Sequence, residues 1–376
     1  MGARGDSSPS LELVGDEAPT IDVFVLHCGE GAKLISDTLR AACSQDYPRN
    51  RFRVILLDDS CSDEVREAVD VLHKEFPNIH YSTRGTRPRT HARAGNMNHG
   101  LEYVNTLPGA AHEFVAFLDA DNIPELCWLR RMTPHLLANP KVGAACPAAR
   151  AYNIPAKDTI SVKNEAVLHY EVTLLLLALT GKPVIIGTGF LARRAAIDNI
   201  GGIPTASLND DGLMTMELDA SGWQLVWVQE FLQWNLVVET LNSQIKQRTR
   251  WNLGVFDCVV YAATTKLPHW STQNRLASCM PMFLFGPMML LWVPLSMLVL
   301  PLVLLSHTPF ITQESGKSDF LFYLGLLDLT AQIVHGDAVA RFMGRKTLTL
   351  TAVDKLWILP YFMPAHFDHW LSLIHI

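Results

Sequence analysis

The sequence predicts an α/β fold in which a parallel sheet carries helices on both faces. Short apolar runs alternate with helix-forming stretches, the rhythm of strand–helix–strand units. Two of those runs end abruptly in aspartates. A third observation adds a membrane part: Leu276–Gln313 is a run of 38 residues without one Asp, Glu, Lys or Arg.

The first strand is Ile21–Leu26, and Lys33–Ala42 reads as the crossover helix behind it. The second strand, Phe52–Leu57, runs into Asp58-Asp59 and then Ser60-Cys61-Ser62-Asp63-Glu64. That cluster offers a turn and a cap for a helix through about Phe76, because a Ser or Asp oxygen accepts one of the unpaired N–H groups at a helix start. Acidic residues at the ends of two strands favour a diphosphate-plus-metal site.

Phe114–Leu118 is five apolar residues in a row, as a strand buried on both faces requires. It ends in Asp119-Ala120-Asp121. Open α/β sheets bind ligands at the carboxyl ends of their parallel strands. On an extended backbone residues i and i+2 point the same way. Asp119 and Asp121 are therefore expected to serve one ion or one diphosphate–metal complex. Hard oxygen ligands of this kind suit Mg²⁺ or Mn²⁺.

Two further segments carry candidate chemistry. His91-Ala92-Arg93-Ala94-Gly95-Asn96-Met97-Asn98 reads as a Gly-Asn turn in which Arg93 meets phosphate and glycine permits close backbone approach. In Gln247-Arg248-Thr249-Arg250-Trp251 the guanidinium groups can fork onto a diphosphate, and the indole offers a flat face to a sugar ring. Upstream, Asn209-Asp210-Asp211 supplies carboxylates able to take a proton from an attacking hydroxyl. Leu174–Leu179 is too short to span a membrane and reads as a buried helix face.

Composition sets the outer bounds. The 376 residues are 49% hydrophobic with a formal net charge of −6, which implies no surface for a nucleic acid polymer. The seven cysteines show neither a CxxC pair nor a zinc spacing and read as buried thiols in a reducing compartment. No positive-then-apolar leader opens the chain, and residues 1–18 are expected to be a disordered lead-in. A spanning helix needs roughly 20 apolar residues, so the uncharged run is expected to hold at least one span. Pro281 and Pro287 point to an interfacial helix at its start. Phe320–Ala340 and Thr347–Leu373 are a second and third candidate span. Arg341, Arg345 and Lys346 lie between them, and Arg248, Arg250, Lys266 and Arg275 precede the first. By the positive-inside rule both clusters are cytosolic. The expected protein is a multi-pass membrane protein, with a catalytic domain over 19–265 facing the cytosol and the membrane part over 266–376.

Taken in order, these residues resemble the membrane-embedded family 2 glycosyltransferases, the group of cellulose, chitin and hyaluronan synthases, and most of all the cellulose-synthase-like branch. The resemblance runs from about Pro19 to Trp251. Asp58-Asp59 is similar to the first aspartate motif, which holds the nucleoside. HARAGNMN is similar to the HAKAGNLN-type segment, and Asp119-Ala120-Asp121 to the DxD that carries the metal. Gly201-Gly202 with Asn209-Asp210-Asp211 is similar to the glycine pair and TED segment. Gln247–Trp251 fits Q-(Q/R)-x-R-W.

The resemblance implies a GT-A-type domain with a mixed, mostly parallel sheet. It implies an inverting transfer from a UDP- or GDP-sugar to a glycan, lipid or small-molecule acceptor, giving a β-linked product among membrane lipid. Asp211 would be the general base, and Asp121 with Asp119 would hold Mg²⁺ or Mn²⁺. Glu30, Asp58, Asp59, Arg93, Asp119, Gln247, Arg248 and Arg250 would bind the donor, while Trp251, Asp210 and Thr188 would meet the acceptor. Three departures stand out: His27-Cys28-Gly29-Glu30 replaces Thr-Tyr-Asn-Glu, Asn209-Asp210 replaces Thr-Glu, and Gly187-Thr188-Gly189 replaces a Cys-Gly-Ser-like segment. No apolar span precedes Pro19, and the expectation leans towards a short or non-polymeric product on a lipid or metabolite. Two rivals are a catalytically silent membrane scaffold and a dinucleotide-dependent oxidoreductase. The latter is weakened because Leu34 stands where the third glycine of a GxGxxG fingerprint belongs.

Overall fold

The computed structural model describes residues 10–85, 90–153, 183–265 and 270. The expected membrane segments, Leu174–Leu179 and residues 1–9 lie outside these. Among the described residues no helix is long and apolar enough to cross a membrane.

The strands are β1 (Ile21–His27), β2 (Phe52–Asp58), β3 (Ile79–Ser82), β4 (Phe114–Asp119), β5 (Asn122–Pro124), β6 (Val142–Ala151), β7 (Phe190–Arg193) and β8 (Gln224–Asn235). They form one sheet in the order β3-β2-β1-β4-β7-β6-β8-β5. The first four are parallel. Strand β7 runs antiparallel to β4 and β6, β8 is parallel to β6, and β5 is antiparallel to β8. The sheet is thus mixed. The register pairs His27 with Asp58 and Leu26 with Asp119, so the polar ends of β1, β2 and β4 share one edge.

The helices are α1 (Ala32–Cys43), α2 (Asp63–His73), α3 (Ala92–Tyr103), α4 (Trp128–Leu137), α5 (Arg194–Asn199), α6 (Asp210–Ala220) and α7 (Leu241–Thr264). They divide between the two faces as the period-2 alternation of the strands dictates. Val23 and Val25 bury one face of β1 against Ile35 and Leu39 of α1, Val65 and Val69 of α2, and Leu129 and Met132 of α4. Phe24 and Leu26 bury the other against Met97 and Leu101 of α3, Ile197 of α5, and Met214 and Leu218 of α6. Phe117 joins the layers of that second face, stacked on Phe190 at 4.7 Å and edge-on to Phe24 at 5.4 Å. A third cluster packs Leu213 and Met216 of α6 on Cys258 and Ala262 of α7, closed by Trp270.

Three expectations change. Residues 10–18 are not a free lead-in. They lie along α4, where Leu13 N–H donates to the Arg130 carbonyl at 2.9 Å, Arg130 returns bonds to the Leu13 and Gly15 carbonyls, and Arg131 meets Ser10 and Glu12. Two arginines thus anchor the segment, while acidic side chains such as Asp16 stay open to solvent.

The HARAGNMN segment is no turn. From Ala92 onward it is the first half of α3, entered through His91 and Ala92 at φ 60° and 34°. Asn96 is buried and donates to the Leu57 carbonyl at 2.9 Å, so its side chain terminates β2 instead of bending the chain. Gly100 is required where α3 crosses the sheet, since a Cβ there would stand 2.5 Å from Leu57 and 2.9 Å from Phe24. Lastly, Asp119 and Asp121 are not alternate residues of one extended strand. Ala120 and Asp121 form a turn between β4 and β5.

Candidate active site

The carboxyl edge of β1, β2 and β4 gathers most of the predicted residues, each with a different degree of freedom. Asp58 ends β2 and is fully buried. Its carboxylate accepts from His27 Nδ1 at 2.9 Å, Ser60 N and Oγ at 2.7 Å each, Ser62 N at 3.0 Å and the Tyr81 hydroxyl at 2.8 Å. Burial alone would favour the neutral acid, but these donors hold Asp58 well below the usual carboxylate range. Burial opposes the charge of His27, but Asp58 and Glu30 more than offset it and raise the affinity of the imidazole for its proton. Both oxygens of Asp58 serve the framework that joins β1, β2 and β3. Asp59 follows it and points elsewhere. Arg84 grips it with Nε at 2.9 Å and Nη2 at 2.5 Å, and the same guanidinium caps the Thr90 and Ala92 carbonyls at the start of α3. Glu30, partly exposed after β1, accepts from Cys28 N–H at 2.8 Å.

Arg93 is the centre of the arrangement. It reaches Asp119 at 3.1 Å, Asp210 at 2.7 Å and the Gly187 carbonyl. Burial opposes its charge, and the carboxylates of Asp119, Asp210 and Asp211 more than offset that, so the guanidinium stays protonated. One side chain thereby ties the end of β4 to the turn 187–189 and to the first residue of α6. The turn is held just as closely. Thr188 Oγ1 accepts from Asp119 N–H at 2.9 Å, and Gly189 N–H donates to the Phe117 carbonyl at 2.7 Å.

Two carboxyl groups are left with unspent capacity. Asp121 makes no side-chain hydrogen bond to another described residue. Burial, then the charges of Asp119 and Glu30, push its pKa up to about 7. A carboxyl group held that far above its ordinary value by burial and by neighbouring negative charge would gain from a cation. Asp119 and Asp121 therefore fit a divalent ion by the chemistry of their donor atoms. Among the described residues no group of three acidic, His or Cys side chains forms a complete metal cage.

Asp211, in the first turn of α6, takes Gly212 N–H at 2.7 Å on Oδ1. Its Oδ2 lies beside Gly187, where a Cβ would sit 3.2 Å away. Burial and the Asp210 charge push Asp211 up to about 6, despite the nearby Arg93. That value suits a base acting near neutral pH.

Helix α7 brings in the remaining segment. Gly254 packs against the backbone of Asn209, and Ser207 donates to its carbonyl at 2.9 Å. Gln247, Trp251, Gly254 and Cys258 recur at spacings of four, three and four, one face of a helix. That face lies towards the turn that carries Asp210 and Asp211. Trp251 is half-buried and Arg250 exposed, while Arg248 lies on the same helix. Gln247 Oε1 is buried without a hydrogen-bond partner among the described residues.

Sequence reasoning missed Arg84, Trp128, Asn122 and Gln233. The closely spaced arginines Arg84, Arg87 and Arg89 were an available signal for the first. The others are single polar or aromatic residues whose partners lie far away in the chain.

Comparison with known proteins agrees with this geometry. The chain is 27% identical over 251 residues to a UDP-forming cellulose synthase catalytic subunit of Pseudomonas fluorescens, covering 65% of this chain and 32% of that protein. It is 26% identical over 301 residues to cellulose synthase 2 of Novacetimonas hansenii, covering 78% and 18%. The chain thus spans a third or less of the length of these relatives. Among solved structures it shares its fold with the mannosyltransferase PcManGT of Pyrobaculum calidifontis, determined with GDP-Man and Mn²⁺. The TM-score is 0.63 at 18% identity, covering 98% of this chain and 90% of that one. The family model described as glycosyltransferase like family 2 matches residues 19–254, well over half the chain. A GT-A-like sheet, strand-end carboxylates and a matched family model together make this chain a member of the family 2 glycosyltransferases.

Proposed function

We propose that the chain is an inverting, metal-dependent transferase. It moves a sugar from a UDP- or GDP-sugar to an acceptor hydroxyl at a membrane surface and leaves a β-linkage. The observation that carries this reading is the bridge made by Arg93. It gathers Asp119 at the end of β4, the turn 187–189 and the acidic start of α6 at one edge, with Asp211 Oδ2 left available beside Gly187.

Asp119 and Asp121 would hold Mg²⁺ or Mn²⁺, which when bound neutralises charge on the diphosphate. Glu30 and Asp59 would meet the nucleoside, and Asp58 would hold their frame. Arg250, exposed on α7, is free to fork onto the diphosphate, alongside Arg248 and Gln247. Asp211 would take the proton of the acceptor hydroxyl as that oxygen bonds to the anomeric carbon and the bond to the diphosphate oxygen breaks. One displacement inverts the centre, so an α-linked donor gives a β-linked product. No second carboxylate nucleophile is needed, in contrast to a retaining glycosidase. Trp251 would give the acceptor its stacking face, with Asp210 and Thr188 beside it. The relative named as UDP-forming and the neighbour determined with GDP-Man and Mn²⁺ support the choice of donor class and metal. The uncharged run 276–313 supports the membrane setting.

The test is transfer from a panel of radiolabelled UDP- and GDP-sugars by membranes carrying the full chain, with Mn²⁺ and with chelator. Product size separates a polymer from a single transfer onto a lipid or small molecule. Chelator-sensitive incorporation from one nucleotide class is expected. Trp251→Ala should raise the acceptor KM while leaving nucleotide affinity unchanged. No incorporation from any donor would overturn the reading.

A further inference from the structure

We propose that Gln233, a fully buried carboxamide on β8, is a positioning residue for the transfer: it holds the Gly187-Thr188-Gly189 turn in register with Asp119 on one side and Asp211 on the other. The role rests on the transferase reading given above and adds a residue that no motif contains.

Each end of the amide is in use. Gln233 Nε2 donates to the Thr188 carbonyl at 3.3 Å and to the Pro147 carbonyl at 3.4 Å. Its Oε1 accepts from Asn122 Nδ2 at 2.7 Å, and Asn122 also donates to Asn235 Oδ1 at 2.5 Å. Gln233 and Asn122 are both 0% exposed. A buried amide of this kind is retained at a cost unless its bonds are made. Here they link two distant parts of the site. Asn122 directly follows Asp121, so the network begins at the strand-end carboxylates. It ends on Thr188, whose hydroxyl takes the Asp119 N–H, and on the glycines beside it.

The turn has little other freedom. Trp128 Nε1 donates to the Gly189 carbonyl at 3.0 Å, and Arg93 holds the Gly187 carbonyl. Gly189 sits at φ +71° with Gln233 in the space a Cβ would occupy, so glycine and glutamine fit each other there. Gly187 in turn abuts Asp211 Oδ2 and Arg93. A shift of the turn would therefore move the base relative to the donor carboxylates. Displacements of about 1 Å remote from the chemistry can cost on the order of 10²-fold in rate.

Gln233→Met keeps the volume of the side chain and removes both ends of the bridge. In the full chain it should lower kcat per folded molecule by about 10- to 100-fold, with nucleotide affinity by calorimetry and donor KM nearly unchanged. Gln233→Glu loses the donor end and should fail in the same way. Adding Asn122→Ser to Gln233→Met should cost little more, because both act through one turn. If Gln233→Met does not fold, Asn122→Ser alone reads the same kcat-against-KM split. Full kcat in a folded Gln233→Met with only a lowered Tm would make Gln233 a filler of the core and overturn the proposal. Loss of nucleotide affinity in step with kcat would do so too, placing Gln233 in the donor pocket. A wild-type chain that transfers nothing removes the transferase reading itself, and this role with it. An active wild type with an equally active variant removes this role alone.

Discussion

At the scale of single residues, the site is a set of carboxyl groups sorted by what already holds them. Asp58 is consumed by five protein donors, Asp59 is gripped by Arg84, and Asp119 and Asp210 each give one oxygen to Arg93. Asp121 and Asp211 stand apart, held at about 7 and about 6 by burial and neighbouring charge. Each is the form its proposed role needs, one ready to exchange a proton for a cation and the other to accept one from a hydroxyl. The two should therefore fail differently. Asp121→Asn should abolish transfer and metal-dependent nucleotide binding while the fold persists, since its side chain bonds to no other described residue. Asp211→Asn should cost about 10²–10⁴-fold in kcat and spare nucleotide and metal binding. If Asp211→Asn loses nucleotide binding as completely as Asp121→Asn does, Asp211 belongs to the donor site and Asp210 becomes the candidate base. The pH dependence follows by sign. A base must be deprotonated, so kcat in the wild type should fall as pH drops through about 6, and Asp211→Asn should flatten that limb. Metal competes with the proton on Asp121. For a group titrating near 7, Mn²⁺ affinity should rise about tenfold between pH 6 and pH 8, and a pH-independent affinity would exclude Asp121 as a ligand.

At the scale of elements, the pieces are placed by close approaches that only small residues allow. Gly254 is the sharpest case. A Cβ there would stand 2.5 Å from the backbone N of Asn209 and 3.0 Å from its Cα, and backbone cannot give way as a flexible side chain would. On propensity alone Gly→Ala in a helix gains about 1 kcal/mol. Overpacking of this kind costs about 1–3 kcal/mol, so the clash wins. Gly254→Ala should lower Tm by a few degrees and should depress kcat more than that loss explains, because it moves α7, and Trp251 with it, off the turn that carries Asp211. A stabilised, fully active Gly254→Ala would show that α7 is not seated as described. Much of this layout was legible beforehand. The three apolar runs became β1, β2 and β4 to within a residue, because strands buried on both faces are simple in composition. The α3 reading failed because Gly95-Asn96 is a local turn signal, and the apolar spacing Ala94, Met97, Leu101, Val104 that marks the helix was outweighed. The Asp119–Asp121 pair was found for a reason that does not hold, since the backbone turns between them. Gln233 and Asn122 could not be found, because polar residues in strands are expected to face water, and only the pairing of β5 with β8 brings them together in the interior.

At the scale of the whole molecule, the residues of the proposed site all lie among the described ones, the last of which packs inward. Trp270 is 7% exposed and closes the cluster between α6 and α7. Six residues later the uncharged run begins. A stretch of that length exceeds the roughly 20 residues a spanning helix requires, and with a second span at 320–340 we propose that the basic clusters at 248–275 and 341–346 both lie on the cytosolic side. The full chain should therefore stay with membranes through an alkaline carbonate wash and come free only in detergent. A chain ended just after Arg275 keeps Trp270 and loses the run, and should be recovered without detergent. Recovery of the full chain in the carbonate supernatant would overturn the membrane setting. Orientation has its own measurement, once labelling of the seven native cysteines is subtracted. A membrane-impermeant thiol reagent added from outside should label Lys317→Cys and miss Arg345→Cys until the membrane is opened. The opposite pattern would put the basic cluster outside, away from the cytosolic supply of nucleotide sugar that a donor site at the edge of β1, β2 and β4 must face. Labelling at neither position would favour helices buried in protein. An acceptor drawn from the membrane would then need another way to reach Asp211.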